Sequence, residues 1–199
     1  EAIARQARAK SVLPVRAFER LCEGNKSTPS DERITDPNEQ RALLALLHDL
    51  GVVVAHGLRQ NAPAVRREIT ILDPNWLTQA IYTLINSPTV RDQGGELRLD
   101  QIGGLLDPER YPELLHELIV SMMQEPSLSL CLPISDAGPL RFLLPDALPV
   151  NEPDYGVWPD VALRFRYQYR LLPTGFIPRF IVAAHRSLTD HPTWWRTGV

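Results

Sequence analysis

The amino-acid sequence predicts a mixed α+β fold: a winged-helix-like first subdomain of helices plus a β-hairpin, followed by the start of a second α+β subdomain. Three observations predict it. Helical and strand-like patterns alternate along the first 150 residues. They close in two apolar runs, "SLSLCLP" and "LRFLLP", joined by "ISDAGP", whose Asp, Gly and Pro suit a hairpin turn. A proline-rich stretch without periodicity, "DALPVNEPDYGVWPD", then reads as a linker near residues 146–160. The charge balance changes there too: residues 31–160 carry net −11, residues 161–199 net +5 and residues 1–30 net +3. The expected division is therefore 1–150 and 151–199.

The elements follow from local signals. The charged, alanine-rich "EAIARQARAK" reads as the tail of a helix cut from something longer and not as a signal peptide. "VRAFERLCEG" reads as a short helix closed by Gly24, and "NKSTPSDERITD" as a polar loop. In "DPNEQRALLALLHDLG", Asp36 caps, Pro37 takes the first helical position, Glu39 sits three residues after the cap and Gly51 stops the helix. Leu43, Leu44, Leu47 and Leu50 form its apolar stripe. "VVVAH" and "REITIL" read as strands, with a loop around Pro63 between them.

The Asp-Pro-Asn punctuation recurs at Asp73, and Trp76, Leu77, Ala80, Ile81 and Leu84 fall on one helical face. "SPTVRDQGG" reads as a loop, "ELRL" as a strand and "DQIGGLL" as a weak helical turn. "PERYPELLHELIVSMMQE" reads as a strong helix with Leu114, Leu115, Leu118, Ile119, Met122 and Met123 inward and His116 on the solvated side. After the hairpin and the linker, "ALRFRYQYR" alternates as a half-buried strand: Leu163, Phe165, Tyr167 and Tyr169 face one way, Arg164, Arg166, Gln168 and Arg170 the other. Pro173 ends that strand, Gly175 permits a turn, and Pro178 suits the first turns of a helix over "TGFIPRFIVAAHRSL". "HPTWWRTGV" begins a further element.

Composition excludes several functions. The chain has 199 residues, 44% hydrophobic and 23% charged, enough for one large domain or two small ones. Its longest apolar run, "GVVVA", is far below the roughly 18 residues that span a bilayer. Two distant cysteines, Cys22 and Cys131, form no disulfide framework or zinc motif, which fits a reducing cytosolic compartment. Gly-Lys never occurs, so a Walker-type phosphate loop is absent, and the Gly-Gly pairs at 94–95 and 103–104 lie outside a GxGxxG pattern. No HExxH or GxSxG occurs. The chain reads as non-catalytic, with no metal or cofactor site of its own.

A winged-helix nucleic-acid binder is the alternative. Its candidate recognition helix, residues 109–125, carries Glu109, Glu113, Glu117 and Glu125 against Arg110, a charge that repels phosphate. The arginine and aromatic alternation of residues 163–170 could form a stacking platform, but strand alternation alone also produces it.

"LLALLHDLGVVVAHG" followed by "ILDPNWLTQAIYTLI" resembles the COR domain of Roco proteins, whose pattern has a helix ending "Lh..G", an apolar strand and "ILdPqWL". "GGELRLDQI" resembles the family's "G.l....l", and "LRFLLPDALP" its "yliP.lLP". "LRFRYQYRLLPTGFIPRFIVAAH" resembles "frY.y..LP.GfisRliv..h", and "WWRTGV" resembles "WR.Gv". The matches run in order from about residue 37 to the end. Two features depart: the family continues well past "WR.Gv", and "EPSLSLCLP" lacks an aromatic common in the family's "FEL.f".

The family includes the leucine-rich repeat kinases; in it a Ras-like GTPase, Roc, is followed directly by COR. The resemblance implies a non-enzymatic module that packs against Roc, supports homodimerisation of the full-length protein through its second half, and couples nucleotide state to output. GTP or GDP and Mg²⁺ are then expected on the neighbouring Roc domain. The corner containing "LPTGF" corresponds to a region that contacts Roc in the family. That carries over to Tyr169, Leu171, Leu172, Phe176 and Arg179 as GTPase-domain interface candidates, unless they fill the module's own core, as the inward position of Tyr169 allows.

Overall fold

The computed structural model describes residues 11–25, 28–58, 62–134, 139–151, 154, 168, 170–173, 175–185 and 195–197. Within them the chain is mixed α/β, with eight α-helices and two small antiparallel sheets. It forms two compact units: Glu1–Tyr82 with Tyr111–Met122, and Thr83–Arg110 with Met123–Val199.

The first unit begins with β1 (Val12–Pro14), which pairs antiparallel with β2 (Ile69–Ile71) in the register Val12 to Ile71 and Pro14 to Ile69. Helix α1 (Val15–Glu23) follows directly and buries Phe18 and Cys22; it closes at Gly24, whose φ of 71° lies in the left-handed region. Helix α2 (Pro37–Asp49) starts as its sequence dictates: the Asp36 carboxylate accepts from the Asn38 N–H at 2.9 Å, and Pro37 fills a position that needs no donor. Its inward side is Leu44 with Leu43 and Leu47 partly covered, packed on Leu13, Phe18, Cys22, Val53, Ala55 and Leu72. Leu50 departs from the expected stripe. It is 67% exposed, because the helix has already ended and Leu50 serves as its C-cap residue.

The expected strand "VVVAH" is reduced to one bridge. The Val52 and Val53 N–H groups both point to the Leu47 carbonyl and finish α2, and residues 56–58 wind into a 3₁₀ turn. Only Val54 is left to exchange both backbone hydrogen bonds with Ile71. Upstream of β2, Pro63 opens the short helix α3 (Ala64–Glu68), so "REITIL" is helical in its first two residues and extended only from Ile69.

Helix α4 (Pro74–Ile85) repeats the Asp-Pro start: the Asp73 carboxylate accepts from the Asn75 N–H at 3.0 Å. Trp76, Leu77, Ala80 and Leu84 are buried as the periodicity predicts. Residues 108–125 form less helix than expected. Pro112 lacks an N–H and restricts the residue before it, so a 3₁₀ turn at Glu113–Leu115 precedes α7 (His116–Met123). Tyr111 is drawn into the interior instead. Its ring lies 5.0 Å from Trp76, and its hydroxyl donates to the Trp76 carbonyl at 3.0 Å. His116, expected at the surface, is buried and donates through Nε2 to the Tyr111 carbonyl, whereas Leu114 is 74% exposed.

The second unit holds α5 (Pro88–Asp92), β3 (Glu96–Arg98), α6 (Ile102–Leu105), β4 (Leu132–Pro133) and β5 (Arg141–Leu143). The expected loop "SPTVRDQGG" begins as a helix, because Ser87 caps the Val90 N–H and Pro88 starts the turn. The sheet order is β3-β5-β4, with Leu132 opposite Leu143 and Leu97 opposite Phe142. The two "LCLP" and "LRFLL" runs thus pair as a hairpin, whose tip, residues 135–138, lies outside the described residues. The expected linker starts as packed structure. Pro145–Ala147 form a 3₁₀ turn, with Ala147 and Leu148 buried. Helix α8 (Phe176–Ala184) completes the described elements. The N-terminal helix tail at residues 1–10, the strand expected over residues 163–170 apart from Gln168 and Arg170, and most of the linker lie outside the described residues.

Candidate functional site

The site grows from the corner that opens α8. Gly175 adopts φ 81° at the helix N-cap, a conformation strained for any residue with a Cβ. The Phe176 N–H donates back to the Pro173 carbonyl at 3.1 Å, and the Arg179 N–H makes the first helical bond to the Gly175 carbonyl at 3.1 Å. The corner is therefore fixed by its own backbone.

The helix it launches has two unlike faces. Ile181 is fully buried in a cluster with Leu132, Leu143 and Leu148, and Ile177 and Val182 pack partly against the same cluster. Pro178 is also buried. The opposite face presents Phe176 and Phe180 one turn apart, with Arg179 between them. Leu171 is 82% exposed, Phe180 51%, Leu172 45% and Phe176 40%. Four large apolar side chains within ten residues thus stand in solvent beside an exposed arginine. Such a cluster, rimmed by charge, is the kind of surface that another protein covers. Tyr169 lies outside the described residues. Phe180 was not among the positions singled out from the sequence. Its spacing of four from Phe176 is a usable signal, but with Ile177, Ile181 and Val182 in the same segment the spacing alone does not say which face is exposed.

A second contact ties the C-terminal motif into the same unit. The Arg196 guanidinium donates to the Asp146 carbonyl at 2.6 Å, and the Arg196 N–H donates to the Pro149 carbonyl at 2.7 Å. Burial pushes the Asp146 carboxyl above its usual range, and the nearby Arg196 charge only partly offsets that. Trp195 is buried beside it in sequence.

Chemistry is sparse. Among the described residues no group of three or more His, Cys, Asp or Glu could hold a metal ion. Cys22 and Cys131 are buried thiols outside any disulfide; burial pushes Cys131 up to about 12 and, with Glu19 and Glu23 nearby, raises Cys22 as well. Such thiols are poor nucleophiles. Glu109, Glu113 and Glu117 are exposed around α7, whereas Glu125 is buried. No helix among the described residues is long and apolar enough to cross a membrane.

A family profile described as C-terminal of Roc, COR-A domain, matches residues 1–148. The chain belongs to the COR family of Roco proteins. The profile of the COR-B domain matches residues 160–199, so the corner and α8 lie in the COR-B match. The chain is similar to a curated protein of Dictyostelium discoideum, "Probable serine/threonine-protein kinase pats1". The identity is 25% over 176 residues, covering 83% of this chain and 5% of that protein. It is also similar to a solved structure from Methanosarcina barkeri, "Roco2 RocCORdC bound to GDP". There the identity is 23% and the TM-score 0.49, over 68% of this chain and 43% of that one. COR, as its description says, lies C-terminal of Roc.

Proposed function

We propose that this chain is a non-catalytic scaffold that packs against the Roc GTPase domain of the same polypeptide, couples its nucleotide state to output, and supports homodimerisation of the full-length protein in the cytoplasm. Residues 1–150 act as the first COR subdomain, winged-helix-like in the order of its elements along the chain, helix, strand, helix and hairpin. Residues 151–199 open the second. GTP or GDP and Mg²⁺ are held by Roc and not by this chain.

One observation carries the reading: the exposed apolar corner of Leu171, Leu172, Phe176 and Phe180 with Arg179, on a helix whose other face is already packed. Water-exposed apolar area of this kind is stabilised by a partner surface. Arginine beside aromatic residues is the composition of an interface centre. The nucleic-acid alternative gains nothing, since the exposed charged residues before and on α7, Glu109, Glu113 and Glu117 against Arg110, are mostly acidic.

The test is calorimetric titration of the Roc domain into the wild-type chain, Leu171→Asp and Phe180→Ala. Both positions are exposed, so the folded chain is expected to keep its thermal midpoint. Each variant is expected to weaken binding by at least about tenfold, in the range of interface anchors. Unchanged affinity in both would place the contact elsewhere.

A further inference from the structure

The first unit contains a cavity of about 340 Å³ between α1, α2, the 56–58 turn and the α3–β2 segment. Its size lies at the low end of small-molecule sites. Its lining combines an apolar part, including the half-buried Val15, Leu58 and Ile69, with three arginines, Arg41, Arg66 and Arg67, against one acidic residue, Glu19. The wall is thus net cationic, although residues 31–160 as a whole carry net −11. Positive charge has been gathered in one concavity of an otherwise acidic segment.

The three arginines differ in role. Arg66 is buried and engaged within the fold, so its charge is fixed in place. Arg41 and Arg67 are exposed, and among the described residues neither side chain forms an ion pair. Gln40 has its amide committed to the Ile34 carbonyl at 2.8 Å. Thr70, also in the wall, is wholly shielded from bulk water and its Oγ1 has no hydrogen-bond partner among the described residues. Guanidinium forks suit planar or tetrahedral oxyanions, which accept two parallel N–H bonds.

We propose that this cavity binds a small organic anion, a carboxylate or phosphate head on a compact apolar body, with Arg41 and Arg67 holding the head and Val15, Leu58 and Ile69 beside the body. The site lies in the COR-A match and is independent of the α8 corner. It needs no catalysis and no metal.

The test is calorimetric titration of the chain with phenyl phosphate, benzoate and uncharged phenol. Saturable binding of at least one anion, weakened by added salt, and no binding of phenol are expected. Whichever anion binds more tightly identifies the head group. Arg41→Gln and Arg67→Gln are each expected to weaken that binding by about tenfold, the worth of a charge-assisted hydrogen bond, with an unchanged thermal midpoint in the absence of ligand. Three results overturn the proposal: no saturable binding of either anion, phenol binding as well as the anions, or undiminished affinity in both arginine variants.

Discussion

Replacing Gly57 by alanine is expected to destabilise the first unit more than any other single methyl added at a described glycine. Gly57 does not have a positive φ, so its backbone could accept a side chain. The obstacle is space. A Cβ there would lie 2.0 Å from the Arg66 carbonyl oxygen and 2.6 Å from both the Arg66 carbonyl carbon and the Arg67 Cα. All three are main-chain atoms, so no side-chain rotation relieves the clash. Carbon in ordinary contact needs about 3.5 Å. The 56–58 turn and α3 must therefore part by more than an ångström. Arg66 and Arg67 are held by N–H bonds to the Pro63 carbonyl, and β2 follows at once with its ladders to β1 and Val54. Overpacking of a fixed contact costs about 1–3 kcal/mol, and this one falls at the upper end. Gly51 is the control: its φ is 70° and nothing lies within 4 Å of its would-be Cβ, so Gly51→Ala should cost only the roughly 1–2 kcal/mol of the left-handed conformation. Guanidinium unfolding followed by circular dichroism measures both. A Gly57→Ala midpoint equal to wild type, or higher than that of Gly51→Ala, would refute the close approach.

Three further outcomes follow. Tyr111→Phe keeps the ring against Trp76 but loses the hydrogen bond to its carbonyl, so stability is expected to fall by about 1 kcal/mol while near-ultraviolet circular dichroism still reports a packed Trp76. Asp146→Asn is expected to be more stable than wild type at neutral pH. The folded-state pKa is raised, so folding is penalised while the carboxylate is ionised, and the gap should close as pH falls through the raised value towards the ordinary carboxylate range; a gap that widens on acidification contradicts it. Cys22 and Cys131 are expected to resist a thiol reagent at mildly alkaline pH in the folded chain and to react fully after denaturation, as mass spectrometry would read; rapid labelling of the native chain would deny their burial.

What could be read from the sequence was local. Asp36-Pro37 and Asp73-Pro74 announced two helices because cap, proline and apolar period act within one or two turns, and both carboxylates accept the expected N–H. The hairpin was legible for the same reason. "VVVAH" was misread because nothing in five residues says that two of their N–H groups finish α2. The helix expected over residues 108–125 was overextended although Pro112 marks the break locally; the inward turn of Tyr111, in contrast, depends on Trp76, 35 residues away. The corner was legible as a turn from Pro173, Gly175 and Pro178, and as a candidate contact only through the family pattern. Its extension to Phe180 needed the knowledge that α8 buries Ile181 and packs Ile177 partly against the same cluster, which leaves Phe176 and Phe180 facing out. The arginine cavity had no sequence signature, because it assembles residues from four separate segments.

The central claim is that the α8 corner is where the chain meets its GTPase domain. Amide hydrogen exchange of the chain, read by mass spectrometry with and without saturating Roc domain, tests it most directly. Slowed exchange over residues 171–180 on binding, with the β1–β2 pair unchanged, is the expected result. Binding that leaves residues 171–180 unprotected, or protects only residues of the first unit, would contradict it.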